Sequence, residues 1–350
     1  MFDPESPFYI KPRLDREFFS WLWKFRGACS EANVRRALPV LSQLNAASLE
    51  LFDELAAIEG VDFNYEKKGV VQVFKTRKEF DKGVKEARRL QEYGVESRVL
   101  EIKELATFAP KMRTASVGGI FFPQDAQLIP DRFVHQLAHH VENNGVDLLT
   151  SAEVLGFEIS GRKVVTVKTT RGDIAVKEVI LAGGSWSGDL ARELDIKLWM
   201  EPAKGYSVTF KRPPACPDMP FMMAETKVIL TPMDDMLRLA GTLELVGFDM
   251  SINKRRLQAI LKSIPDYFPD FNLKELELTE IWRGLRPCSP DGLPYLGRPR
   301  RYDNVIIATG HGMKGISLAP VTGKLVAQLA ARENPQIDLT ALSIERFGSA

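Results

Sequence analysis

Two apolar strands that each end in a glycine-rich turn and lead into a helix constrain this chain more than any other feature. The first is VILAGGSWSG at residues 179–188, and the second is NVIIATGHGMKG at residues 304–315. Glycines at such a junction let a ligand approach the backbone, and the N–H groups of the helix start favour negative charge. The pattern indicates a nucleotide-binding α/β fold, and a plain glycine-rich turn is the alternative.

The second turn carries the G-x-G-x-x-G spacing of a dinucleotide fingerprint, from Gly310 to Gly315. A complete βαβ unit needs a second parallel strand that ends in an acidic residue. Only 35 residues follow Gly315, and residues 337–339 are too short for that strand. We therefore rank an NAD-dependent enzyme built on this loop below the two functional interpretations given at the end of this section.

A third motif, IWRGLRPCSPDGLPYLG at residues 281–297, contains a turn between two strands. Arg283 and Arg286 are three residues apart, so along a strand they point to opposite faces. Arg286 precedes Pro287, which holds it extended. A guanidinium on a rigid strand suits bidentate binding of a carboxylate, and a surface arginine is the alternative.

Charge and cysteine content exclude several classes of function. The 350 residues include 47 Lys and Arg and 46 Asp and Glu, so the basic excess that nucleic acid binding needs is absent. No apolar run approaches the ~18–20 residues of a membrane span, and the N-terminus has no apolar signal core. Cys29, Cys216 and Cys288 are far apart, which predicts free thiols in a reducing cytoplasm.

No side chains in the sequence predict a metal site or a nucleophile. His135, His139 and His140 could place two imidazoles one helical turn apart, but no carboxylate arrangement completes a zinc site. A solvated helix face is the better interpretation. We find no G-x-S-x-G elbow, Cys/His pair or P-loop.

Strands and helices alternate along the whole chain, and β-rich blocks separate the α/β blocks. Apolar spacing predicts a helical region over 15–59, with a break or a helix start at Pro39. Between 146 and 182 we predict four strands, which are VDLLT, EVLGFEI, KVVTVKTT and EVILAGG. Further helices are predicted over 77–93, 131–144, 187–194, 253–263 and 315–332.

Taken together, LAGGSWSG, WRGLRPCSPDGLPYLG and NVIIATGHGMKGISLAPVTGK resemble the D-amino-acid oxidase superfamily of FAD-dependent amine oxidoreductases. The opening ESPFYIKPRL, the segment FFSWLWKFRGAC and the stretch ILTPMDDMLRLAGTLEL are similar to bacterial D-amino-acid dehydrogenases. The segment TGHGMKGISLAPVTGK is also similar to glycine and sarcosine oxidases. The resemblance covers nearly all of the chain.

The resemblance implies a mixed α/β (α+β) fold with FAD as cofactor. A truncated FAD/NAD(P)-binding Rossmann-like domain would be interleaved with a β-rich substrate domain. We expect the FAD domain to take residues 1–59, 127–198 and 281–350, with a helical first segment. The substrate domain would take residues 60–126 and 199–280.

The resemblance also implies roles for single residues, with no catalytic side chain and no metal. Arg286 matches the arginine that binds the substrate carboxylate. Gly183 and Trp186 match the segment beside FAD, and Val154 matches a strand residue near the adenine. The loop that faces the flavin pyrimidine edge is matched by Gly310, His311, Gly312, Met313, Lys314 and Gly315. Glycine oxidases have an arginine where this chain has Met313.

Members of this family begin with a βαβ unit that holds the FAD pyrophosphate, whereas this chain starts where that unit should be finished. We therefore expect a fragment or a late-start gene product, or a partner that supplies the missing nucleotide-binding unit.

The implied activity is FAD-dependent oxidative deamination of D-amino acids to 2-oxo acids and ammonia, as part of bacterial amino-acid catabolism. A hydride would pass from the substrate α-carbon to flavin N5, and a quinone or another carrier would accept the electrons. The alternatives are a non-catalytic or partner-dependent fragment and a glycine- or sarcosine-oxidase-like enzyme. We expect a protein in the cytoplasm or peripheral at the inner face of the membrane.

Overall fold

The computed structural model describes residues 6–110 and 112–348, which form two compact units. The first unit takes residues up to 12, 60–136 and 204–285, and the second takes 13–59, 137–203 and 286 onward. The start of the predicted segment 1–59, the end of 281–350 and the first residue of ESPFYIKPRL lie outside the described residues. Which ligand each unit binds stays a prediction.

Helices and strands alternate through both units. The helices are α1 (Arg16–Ala28), α2 (Glu31–Ala56), α3 (Arg77–Gln91), α4 (Ile102–Phe108), α5 (Pro130–Asn143), α6 (Ser187–Glu193), α7 (Lys254–Tyr267) and α8 (Gly315–Ala330). The strands are β1 (Phe8–Ile10), β2 (Val70–Phe74), β3 (Arg98–Leu100), β4 (Gly118–Phe122), β5 (Val154–Ser160), β6 (Lys163–Thr169), β7 (Gly172–Ala175), β8 (Val179–Leu181), β9 (Glu201–Lys211), β10 (Phe221–Met223), β11 (Val228–Met233), β12 (Met236–Leu245), β13 (Leu278–Cys288), β14 (Tyr295–Gly297) and β15 (Val305–Thr309).

A large mixed sheet forms the first unit, in the order β13-β9-β12-β11-β10-β2-β4-β3. β1 lies parallel to β12, with Phe8 opposite Leu243. α7 packs against β12, and its buried Ile260 and Ile264 join the apolar core of this sheet. The amphipathic spacing of α7 therefore decides which of its faces meets the sheet.

A buried charged network lies inside the first unit, beneath β1. The Glu244 carboxylate accepts a hydrogen bond from the Tyr206 hydroxyl at 2.8 Å, lies 3.5 Å from Lys204 Nζ and pairs with Arg256. Arg256 also donates to the Ser6 carbonyl at 2.7 Å. Buried charges need such partners because water no longer solvates them. The network therefore fixes the chain just before β1.

The second unit has a small central sheet, in the order β14-β15-β8, and β15 runs parallel to β8. α8 packs against β15 on one side, and α2 packs against α8. Ser48 on α2 donates to the Ser317 carbonyl at 2.5 Å. A separate three-stranded antiparallel sheet, β5-β6-β7, belongs to the same unit.

Two local predictions are wrong in the structure, and one strand was not predicted. VDLLT is not a strand, and its Val146, Leu148 and Leu149 are exposed, because no neighbouring strand pairs with it among the described residues. β7 at GDIA was not predicted, since its side chains are all exposed and give no apolar signal. Pro39 neither breaks nor starts a helix but lies inside α2.

Pro39 is tolerated because of tertiary packing. A proline in a helix interior removes one backbone hydrogen bond and costs ~3 kcal/mol or more. α2 offsets this cost by burying Ala37, Leu44 and Phe52. Helices in proteins draw most of their stability from such burial rather than from local propensity.

Candidate functional site

The two glycine-rich turns lie side by side in the second unit. Val305 is opposite Val179 and Ile307 is opposite Leu181 in the parallel pair, so both strands end at the same edge of the sheet. The Thr309 hydroxyl joins the turns by donating to the Gly184 carbonyl at 3.0 Å. In open α/β sheets, ligands bind outside the carboxyl ends of the strands. This edge is therefore the candidate site.

The turn after β15 has a conformation that requires glycine. Gly310 has φ +78°, and a Cβ built on it would lie 3.0 Å from the Tyr295 ring. Residues 312–314 form a short 3₁₀ turn that leads directly into α8. The first N–H groups of a helix have no intrahelical acceptor. They can therefore donate hydrogen bonds to a ligand at this edge.

His311 lies within this turn as a neutral imidazole. Its Nε2 is 3.0 Å from the Thr322 hydroxyl oxygen on α8. Burial lowers the pKa of His311 to about 4, because the charged form would lose hydration. The positive potential of the loop at neutral pH thus comes from backbone dipoles and cationic side chains rather than from an imidazolium.

The end of β13 is joined to the same turn. Arg286, Pro287 and Cys288 belong to the second unit, and Cys288 forms an isolated antiparallel bridge with His311. The indole N–H of Trp21 donates to the Cys288 carbonyl at 3.1 Å. The bridge holds the strand that carries Arg286 beside the glycine turn.

Arg286 is partly buried, and this burial lowers the pKa of its guanidinium from the ordinary value. Arginine nevertheless stays protonated in proteins. The result is a fixed, partly desolvated cation on a strand. Such a group binds carboxylates in a two-point geometry that a lysine ammonium cannot reproduce.

Cys288 does not act as a nucleophile at neutral pH. Burial raises the pKa of its thiol to about 11, although the nearby Arg286 and Lys314 charges act in the opposite direction. Only a thiolate is strongly nucleophilic. The site therefore offers binding and an electrostatic field but no obvious attacking group.

The residues at this edge fit a ligand with anionic groups and a flat apolar ring. The Ser187 hydroxyl beside the first turn is buried and has no hydrogen-bond partner among the described residues. No atom lies within 4 Å of a Cβ built on Gly184 or Gly315, so the backbone is open there. Trp186 and Met313 are 54% and 73% exposed. Exposed large apolar groups next to open backbone are expected where a ligand packs.

The structure brings most of the predicted site residues together. Gly183 and Trp186 lie on the first turn, Gly310 to Gly315 lie on the second, and Arg286 lies two residues before the bridge to His311. Val154 is the first residue of β5 in the separate sheet, where it lies opposite Thr169 of β6.

Three further residues of the site were not predicted. No motif singles out Trp21, and its hydrogen bond to Cys288 crosses 267 residues of sequence. Thr309 and Ser187 carry no motif beyond their position beside the glycines. The pairing of β8 with β15 is what places Thr309 and Ser187 in the site.

The fold and the site define an α/β protein of the nucleotide-binding kind, with Arg286 on the strand beside the glycine turn. Residues 22–329 match the family described as FAD dependent oxidoreductase, DAO. Because this match covers most of the chain, the protein belongs to that family and is an FAD-dependent oxidoreductase.

Relatives among characterised proteins agree with this assignment. The chain is 30% identical to a D-amino acid dehydrogenase of Granulibacter bethesdensis, over 99% of this chain and 84% of that enzyme. It is 31% identical to a D-amino acid dehydrogenase of Xanthobacter autotrophicus, over 98% and 82%. A glycine oxidase structure from Geobacillus kaustophilus superposes with a TM-score of 0.81 at 26% identity, covering 88% of this chain and 82% of that one.

FAD is thus the cofactor of this chain's family, and the predicted mixed α/β fold is confirmed. In the described residues no helix is both long and apolar enough to cross a bilayer. The same residues contain no cluster of three potential metal ligands.

Proposed function

We propose that this chain catalyses the oxidative deamination of D-amino acids. The neutral amine form of a D-amino acid would lose a hydride from its α-carbon to a two-electron acceptor, and the resulting iminium would take up water to give a 2-oxo acid and ammonium. The observation that carries the proposal is Arg286, a fixed guanidinium bridged through Cys288 to the glycine turn. The two dehydrogenase relatives support the same substrate class.

Arg286 would act by binding and orienting the substrate. A carboxylate held at two points cannot rotate, so the α-hydrogen of the bound amino acid keeps one direction. Positioning of this kind replaces a random encounter and lowers the entropic part of the barrier. We assign no general base, since none of the side chains at the edge is a suitable acceptor at neutral pH.

The two turns would hold FAD. We propose that Gly183, Trp186 and the loop from Gly310 through His311, Gly312, Met313 and Lys314 to Gly315 bind it, with Val154 nearer its adenine. FAD supplies a two-electron acceptor when bound. The N–H groups at the start of α8, together with the helix dipole, favour negative charge at that place.

An electron carrier must reoxidise the enzyme, and we propose a quinone. The exposed face of α1 supports a peripheral membrane location: Phe19 is 54% and Trp23 74% exposed, and Arg26 lies 5.9 Å from the Trp23 ring. Aromatic and basic side chains on one helix face suit a lipid interface. This location is the cytoplasmic side of the inner membrane in our proposal.

A further strand would complete the FAD site. β8 is the edge strand of its sheet in the described residues, and Ile180 on it is 47% exposed. An open, apolar edge is a ready template for another strand. We propose that a nucleotide-binding segment pairs there, either from the same polypeptide or from a partner, and without it the chain would be a partner-dependent fragment.

A glycine- or sarcosine-oxidase-like activity is the second candidate, favoured by the similarity to the glycine oxidase structure. Met313 stands against it, because its thioether cannot pair with a carboxylate.

The test of the proposed function is a substrate panel with the flavin-loaded protein, comparing D-alanine, L-alanine, glycine and sarcosine with a quinone analogue and with oxygen. We expect reduction by D-alanine alone; turnover of glycine or sarcosine with oxygen would favour the second candidate.

A further inference from the structure

The ring of Tyr295 lies directly against the glycine turn. Tyr295 is the first residue of β14 and is opposite Thr309, the last residue of β15. A Cβ built on Gly310 would lie 3.0 Å from this ring, so the turn and the ring are closely packed. Tyr295 is fully buried, and its hydroxyl donates to the Trp199 carbonyl at 2.9 Å. The turn therefore packs on a ring that is itself anchored.

The guanidinium of Arg346 lies over the same ring, with its Cζ 3.9 Å from the ring centroid. Its Nε and Nη2 are each 3.0 Å from one oxygen of Asp291, and Nη2 also donates to the Leu293 carbonyl at 2.7 Å. The side chains of Arg346 and Asp291 are only 6% and 1% exposed. A planar guanidinium can stack on a ring while it holds a carboxylate at two points, which an ammonium cannot do.

The SPDG turn links this support to the other contact of the glycine turn. The segment 288–295 begins at Cys288, which bridges to His311, and it ends at the tyrosine ring. The segment therefore meets the glycine turn at two places. Arg346 binds the middle of the segment through Asp291 and its end through the ring.

We propose that Arg346 is a positioning residue for the cofactor. It holds the Tyr295 ring against Gly310 and so keeps the N–H groups at the start of α8 in the direction that FAD needs. The inference rests on the proposed function, in which this turn binds FAD. Donors that are in place before the ligand arrives stabilise its charge without a cost of reordering. A turn without this support would adopt other directions and bind FAD with lower affinity.

Three substitutions separate the ring, its hydroxyl and the guanidinium. Arg346→Lys keeps the charge but loses the planar contact with the ring. Asp291 still has a cation in this variant, because Arg36 Nη2 lies 3.0 Å from its Oδ2, so the fold should survive. Tyr295→Leu removes the ring, whereas Tyr295→Phe removes only the hydroxyl.

Arg298→Lys is the matched control. The Arg298 side chain is also partly buried, pairs with Glu178 and donates to the Leu329 carbonyl at 2.7 Å. Leu329 lies at the opposite end of α8 from the glycine turn. This variant therefore loses a guanidinium and its hydrogen bonds in the same unit, away from the proposed support.

The test combines two measurements on the full chain: hydrogen exchange of the peptide 309–318, with and without added FAD, and the FAD dissociation constant from flavin fluorescence. We expect Arg346→Lys and Tyr295→Leu to raise both the exchange rate and the dissociation constant roughly tenfold, within the range of a desolvated cation–π contact. Exchange over 154–169, in the separate sheet, should stay unchanged. Tyr295→Phe and Arg298→Lys should leave both quantities close to those of the unmodified protein.

An equal rise of exchange over 154–169 would mean a general loss of stability and would overturn the proposal. An unchanged FAD dissociation constant in Arg346→Lys would overturn it as well. If Tyr295→Phe matched Tyr295→Leu, the support would come from the hydroxyl rather than from the stacked ring, and the proposal would be wrong. Failure of the proposed function has a different outcome: FAD binding that depends on Arg346, without turnover of any D-amino acid, would refute the deaminase and support this inference.

Discussion

Glu244→Gln should strongly destabilise the first unit. The substitution keeps the shape of the side chain but removes its charge from a site where Glu244, Lys204 and Arg256 have side chains only 1–2% exposed. Removing one partner of a buried ion pair costs roughly 3–5 kcal/mol, because the remaining charge is left without compensation.

The remaining contacts of Lys204 and Arg256 decide where in this range the destabilisation falls. Lys204 keeps the Ser251 carbonyl at 2.8 Å and Asp249 at 3.8 Å, and Arg256 keeps the Ser6 carbonyl. These contacts partly compensate the two cations after the anion is removed. We therefore expect a loss of unfolding free energy near the lower end of the range, about 3 kcal/mol. A change of this size raises the open population roughly 150-fold.

Native-state hydrogen exchange measures the free energy of opening directly at the amides of β12 and β1. Exchange free energies there should fall by the stated amount, and β1 should exchange earliest because Arg256 binds the Ser6 carbonyl, two residues before the strand. Glu158→Gln is the matched control, since Glu158 pairs with Lys168 at 3.0 Å on an exposed hairpin. If Glu244→Gln changed β12 no more than the control changes β6, the argument from uncompensated charge would be wrong.

Three other predictions follow from the second unit. The pKa of His311 is lowered in the folded state, so the unfolded chain binds more protons between pH 4 and 6.5; acidification through this window should cost about 3 kcal/mol of unfolding free energy. His311→Gln should flatten that pH dependence in urea titrations, and an unchanged slope would refute the assignment. Iodoacetamide at pH 8 should label exposed Cys29 well before Cys288, whose thiol has a pKa of about 11; equal labelling rates by peptide mass spectrometry would contradict this. Phe19→Ser with Trp23→Ser should abolish cosedimentation with anionic vesicles, whereas Phe248→Ser, at another exposed aromatic, should not; sedimentation that survives the double substitution would exclude α1 as the contact.

The sequence predicts the local parts of the site well. The strand, the glycines and the helix start are contiguous at 179–188 and at 304–315, so neighbouring residues determine their local geometry. The same is true of Arg286, which Pro287 holds extended. Each of these elements lies where it was predicted.

The connections between those parts could not be predicted, because they are tertiary. The bridge from Cys288 to His311 and the hydrogen bond from Trp21 depend on which strands meet, and no local pattern specifies that. VDLLT shows the opposite error: its apolar residues predict a strand, but a strand forms only when a neighbour supplies hydrogen bonds.

Arg286 tests the central claim most directly. Anaerobic stopped-flow reduction of the flavin-loaded protein by D-alanine gives the dissociation constant and the limiting rate separately. We predict that Arg286→Lys weakens D-alanine binding at least tenfold while the visible flavin spectrum and the FAD content stay unchanged, because a single ammonium cannot form the two-point contact. D-alanine binding and reduction equal to those of the unmodified protein would contradict the claim that this guanidinium holds the substrate carboxylate.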